Sequence, residues 1–145
     1  MGDIVPNIAK GAVAEKIRND DDAIVILLLL ATSEADATLL DYDTVAAILA
    51  GSNTEVTDGS YARKAAGSIT ATVTVDDTNN RVDVDMPDQT FTALDGAAID
   101  RLVVAQEESA SDAGRVPLAI LDFDIDPSGN DVIAQFNSAG FFRAS

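Results

Sequence analysis

The chain contains no cysteine and no histidine. Without cysteine there is no disulfide, no thiolate nucleophile and no zinc–thiolate site. Without histidine the commonest general base and the commonest transition-metal ligand are missing. Tryptophan is absent too, and a core must draw its aromatics from 2 Tyr and 5 Phe. Cations are scarce, with 9 Lys and Arg against 25 Asp and Glu and a net charge of −16. Such a chain cannot neutralise a run of phosphates, so nucleic acid is excluded as a partner, and an anionic membrane surface is disfavoured. Long apolar runs are missing as well. The most apolar stretch, residues 23–31, has 9 residues, whereas a helix needs about 20 to cross a bilayer. The first seven residues carry no basic stretch ahead of an apolar core, so no secretory signal is expected.

What remains is one acidic, core-forming domain over residues 1–145, with residues 1–8 as a candidate N-terminal arm. At 145 residues and 47 % apolar content the chain is long enough to bury a real core. The acids comprise 20 Asp and 5 Glu, and the bases 3 Lys and 6 Arg. Short, strongly hydrated carboxylates with little lysine suit very salty solvent. There the Debye length falls to about 3 Å and self-repulsion fades. The composition resembles that of proteins from halophilic organisms.

Periodicity indicates strands with little helix. Residues 24–30 form a run with a β-branched start, expected as a buried central strand. Residues 9–18 fit a helix through Val13 and Ile17 and a strand through Ala12, Ala14 and Lys16; both stay open. The one clear helix is expected over Tyr42–Ala50, capped by Asp41 or Asp43, with Val45, Ile48 and Leu49 on one face. Gly51 is expected to end it in a left-handed conformation. Residues 52–60 are polar and are expected as a surface loop. From Ile69 the period becomes two, and residues 69–86 are expected as a β-hairpin turning at Asp76–Asn80, with one wet, acidic face. Further strands are expected at 90–93, 102–106, 118–125, 131–136 and 140–143. The fold class is therefore mainly β, an antiparallel β-sandwich-like domain with one short α-helix at about residues 42–50.

Candidate sites are few. Asp122, Asp124 and Asp126 alternate before a turn, yet Pro127 and Ile133 stand where an EF-hand loop needs Gly and Glu. They are simpler as one solvent face of a strand. Asp20–Asp22 and Asp76–Asp77 are turn chemistry first. With 20 Asp in the chain, a glycosidase-like acid pair carries no information. No S-x-x-K, G-x-x-x-x-G-K or G-x-G-x-x-G occurs, so dyad catalysis and nucleotide binding have no support. No catalytic residue, metal ligand or cofactor is assigned, and the chain is not expected to be an enzyme. Two basic–aromatic spots stand out as interface candidates: Tyr61, Arg63 and Lys64, and the terminal Phe141, Phe142 and Arg143. Each could equally supply core aromatics and solvated bases.

Three stretches carry a resemblance: EADATLLDYDTVAAILAGSNTEVTDGSYARKAAG, VTVDDTNNRVDVDMPDQTFTAL and DVIAQFNSAGFFRAS, with a shorter AKGAVAE near the start. In their order within residues 34–145 the chain resembles small structural proteins of tailed viruses. The Asp-Tyr-Asp-Thr helix start, a Gly-Ser-Tyr-Ala-Arg-Lys strand, the Asp-Asp-Thr-Asn-Asn-Arg hairpin and the Phe-Arg-Ala-Ser terminus carry it; Phe91 stands where the resemblance implies Trp. The resemblance implies a non-enzymatic virion component made in the host cytoplasm. First comes a capsid decoration (cement) protein on the capsid surface, with the major capsid protein and copies of itself, a homotrimer, as partners. A neck or tail component, or a receptor- or glycan-binding module of the virion, is the alternative. With the salt-adapted composition, a halophilic host is implied.

Overall fold

A computed structural model describes residues 3, 16, 17, 19, 20, 23–76, 78 and 81–144. The expected N-terminal arm, most of the segment 9–18, and Asp21, Asp22, Asp77, Asn79 and Asn80 lie outside the described residues. Of the segment 9–18, Lys16 and Ile17 are helical, and Ile17 is fully buried.

The first sheet joins β1 (Ile24–Leu30), β5 (Ile99–Glu107) and β6 (Arg115–Ile125) in the order β1-β5-β6, all antiparallel. A second joins β2 (Thr72–Asp76), β3 (Arg81–Asp85) and β8 (Phe142–Ala144) in the order β2-β3-β8. The third pairs β4 (Gln89–Leu94) with β7 (Asn130–Ala134). Two short helices, α1 (Asp36–Leu39) and α2 (Val45–Ala50), lie between β1 and β2 in the chain. The molecule is mainly β, antiparallel and sandwich-like, as the residue pattern implies.

β1 is buried on both faces because its side chains alternate between two apolar clusters. Ile24, Ile26 and Leu28 join Leu102 and Val104 against Phe91, Leu94, Val84 and Phe142 from the other two sheets. Leu27 and Leu29 join Val103 and Ile120 against Leu39, Val45 and Ile48 beneath the helices. Each fully buried Leu or Ile here contributes roughly 1.5–3 kcal/mol of transfer free energy.

Several local expectations are corrected. β5, rather than β1, is the central strand of the first sheet. α2 begins at Val45 because Thr44 is its cap, the Thr44 Oγ1 accepting from the Ala47 N–H at 3.1 Å. Neither Asp41 nor Asp43 takes that place. Gly51 has φ −73° and is not left-handed. A Cβ there would press only on the ends of two flexible side chains, Tyr42 Oη at 2.5 Å and Glu34 Oε2 at 2.7 Å. α1 was not anticipated. Four residues with one buried side chain, Leu39, are too few to show a period. The segment 52–60 is not purely a surface loop, because Asn53 and Val56 are buried. Nor do residues 59–64 form a strand; only Lys64 makes a bridge, to Ile26. The 69–86 hairpin is found, with Val73 opposite Val84 and Val75 opposite Val82.

Candidate functional site

The open side of β1 is closed by the chain segment 54–64. Leu30 N–H donates to Thr54 O at 2.9 Å, Leu28 N–H to Tyr61 Oη at 3.0 Å, and Ile26 N–H to Lys64 O at 3.0 Å. Val56 N–H returns a bond to Leu28 O, also at 3.0 Å. One phenol thus stands in for a backbone carbonyl in what would otherwise be a ladder. Tyr61 Oη then donates to Glu55 Oε1 at 2.9 Å, and its ring stacks on Phe91 with centroids 6.2 Å apart. Burial and the adjacent Glu55 carboxylate raise the Tyr61 pKa, with burial the larger cause. The hydroxyl therefore keeps its proton.

Arg63 grips Glu55 in bidentate fashion, Nε to Oε1 at 2.6 Å and a terminal nitrogen to Oε2 at 2.5 Å. Its other terminal nitrogen reaches Asp112 Oδ1 at 2.5 Å, on the turn between β5 and β6. Arg115 shares that Asp112 oxygen at 2.6 Å and also holds Glu107. Five charges on the segment 54–64 and the β5–β6 hairpin are thereby locked together. The Arg63 hydrogen bond, helped by Arg115, holds the Asp112 carboxyl below the usual carboxylate range. Hydrogen bonds donated to Glu55 and then to Asp112 raise the Arg63 pKa. Lys64 lies with Nζ 4.8 Å from the Phe91 ring centroid and donates to Thr90 O at 2.5 Å.

The second candidate spot sits on a different sheet. Phe142 is buried, while Phe141 packs edge-on against Phe136 with centroids 6.3 Å apart. Arg143 Nε donates to Asp83 Oδ1 at 2.6 Å across the β3–β8 pair. Gly140 precedes them with φ 91°, and a Cβ there would lie 2.5 Å from Val84 O, so no other residue fits. The structure brings Tyr61, Phe141 and Phe142 to one apolar cluster. It leaves Lys64, Phe141 and Arg143 as the candidates with side-chain surface to offer a partner, because Arg63 is committed to two acids and Phe142 to the core.

Three polar groups were not visible in the sequence. Arg101 is fully buried, ion-paired to Asp36 Oδ1 at 2.5 Å and to Asp122. Asp100 is buried beside it and accepts from Ser33 Oγ at 2.6 Å. Asn53 is buried where its amide donates to Glu34 Oε2 at 2.7 Å and to Ile48 O at 2.9 Å. An Arg inside the apolar run Ile99–Ala105 was the one available signal, since a buried cation demands nearby acids. Asp122 is spent on Arg101, so it cannot lead a cation site with Asp124 and Asp126, both exposed. Among the described residues no three carboxylates converge on a point that could hold a metal. A shallow depression of about 270 Å³ lies between Lys16, Asp20, Gln106 and Glu108, crossed by the Lys16–Glu108 ion pair. No described helix is long and apolar enough to cross a membrane.

The arrangement ties the segment 54–64 to β1 and to the β5–β6 turn. The chain matches no protein-family model, no curated protein and no solved structure.

Proposed function

We propose that this chain is a non-enzymatic virion protein of a tailed virus with a salt-adapted host. It would be a capsid decoration protein that binds the outer face of the major capsid lattice as a homotrimer and stabilises the head. The observation that carries the proposal is the run of resembling stretches across residues 34–145. The build of the molecule supports it: a sandwich-like framework, a strand edge sealed by its own chain, and cations anchored by neighbouring acids. A cement protein needs no chemistry. It works by mass action, binding the assembled shell and not its free parts, so that occupancy adds directly to shell stability. Many identical weak contacts suffice when a closed symmetric lattice repeats them.

Among the interface candidates, Lys64 and Arg143 offer charges that remain partly accessible after folding. The test is re-addition of purified protein to particles stripped of it. Wild-type protein is expected to rebind and raise the temperature at which heads release their genome. The double variant Lys64→Ala, Arg143→Ala is expected to fold normally and rebind poorly. Stripped heads as stable as intact ones would overturn the proposal.

A further inference from the structure

The third sheet has one sealed edge and one open edge. On the β4 side, Ser60 Oγ donates to Thr92 O at 2.6 Å and to Ala93 O at 2.7 Å, and Lys64 Nζ donates to Thr90 O. On the β7 side, among the described residues, no strand pairs with β7 except β4. Thr90 lies opposite Ile133 and turns its carbonyl away from β7, to Lys64. In an antiparallel ladder the two members of such a pair face outward together. The N–H and C=O of Ile133 therefore point off the open edge. Ile133 is also the large apolar side chain left exposed among the described residues, at 54 %.

Charge says what could pair there. Residues 82–100 and 116–142, which supply β4 and β7, contain no Lys and no Arg. Asp131 stands within β7, its carboxylate accepting from the Ala93 N–H of β4 at 2.9 Å; exposed Asp126 precedes β7, and Asp88 accepts from the Phe136 N–H just beyond it at 2.9 Å. The negative potential of acids around this strand repels a second copy of a chain with net charge −16. The same acids attract a cationic strand.

We propose that the outer edge of β7 is a docking edge for an extended, Lys- or Arg-rich segment of another protein, which adds as a strand beside Asp131–Gln135. Main-chain hydrogen bonds would supply affinity, Ile133 an apolar contact, and the flanking aspartates the selection for basic sequence. This inference stands apart from the virion proposal, since the edge can bind a basic strand whether or not the chain is found on a particle.

The probe is a synthetic peptide of alternating Lys and Val, about ten residues long, the length of a long strand. Two controls accompany it: the same peptide with N-methylated backbone, of equal charge but unable to pair, and a Glu/Val peptide. The Lys/Val peptide is expected to bind and to slow hydrogen exchange at the Ile133 amide, and neither control should do so. Ile133→Pro removes an outward-facing N–H and the exposed side chain, a change an edge position tolerates. It is expected to weaken binding about tenfold or more, the loss of one hydrogen bond and an apolar contact. The exchange map on the unaltered protein decides the matter if that variant folds poorly. Equal binding of the N-methylated peptide, protection centred on another element, or no binding would each overturn the proposal. So would dimerisation through β7 in the absence of peptide, which would make a second copy the occupant.

Discussion

Removing the Tyr61 hydroxyl would leave the Leu28 N–H without a partner inside the core. Tyr61→Phe keeps the ring on Phe91, so its expected cost is that of one stranded donor, about 1–3 kcal/mol, read from the shift in urea midpoint. An unchanged midpoint would mean the hydroxyl is dispensable. Gly51→Ala is expected to change stability by less than about 1 kcal/mol, read from the same midpoint, since φ −73° suits any residue and only the flexible ends of Tyr42 and Glu34 must shift. Ala93 is the opposite case. It is held at φ 47° by Ser60 and Asp131 contacts at a register shift in β4, and Ala93→Gly should be neutral or stabilising by up to about 1 kcal/mol. At this scale the sequence was legible where chemistry is local. The alternation of Val, Ile and Thr around Val73 announced the hairpin. The role of Tyr61 was not legible, because it depends on a residue brought near only by the fold.

Strands were legible from period and composition, while their order was not. Nothing in residues 24–30 says that β5 takes the centre and that the segment 54–64 closes the far edge. That closure rests on backbone bonds and one Tyr61 hydroxyl, which no local pattern announces. The buried Arg101 between Asp36 and Asp122 is a cross-element tie of the same kind. Its two acids retain some exposure and Arg101 has none. Asp122→Asn is therefore expected to cost about 3 kcal/mol or more, and Arg101→Met distinctly less, since the freed carboxylates can hydrate. Denaturant titration of both variants checks the order; the reverse order would contradict this account. The Asp112 node supplies a pH dependence. Its carboxyl is held below its unfolded value, so its stabilisation is fully present above about pH 4 and is lost as pH falls through the lowered folded value. Asp112→Asn is expected to be less stable near neutrality and to show a shallower acid limb than the parent. An identical limb in the two proteins would show that Asp112 takes no part in it.

For the whole molecule, a net charge of −16 on 145 residues opposes compaction in dilute buffer. Melting temperature is expected to rise steadily from low salt to molar potassium or sodium chloride as repulsion is screened. The locked Arg63–Asp112–Arg115 array loses less, because partly buried pairs are screened less than exposed ones. A falling melting temperature would mean that the surface ion pairs outweigh the self-repulsion. Fold class was readable at this scale from short alternating runs and scarce helix. Of the interface candidates, the fold engages Tyr61, Arg63 and Phe142 internally, through contacts that no local sequence pattern announces. The virion proposal is tested most directly by high-resolution imaging of purified particles with copies counted at each location. Hundreds of copies spread in symmetric positions over the head are the expected result. A dozen or fewer copies confined to a single vertex or to the tail would contradict it.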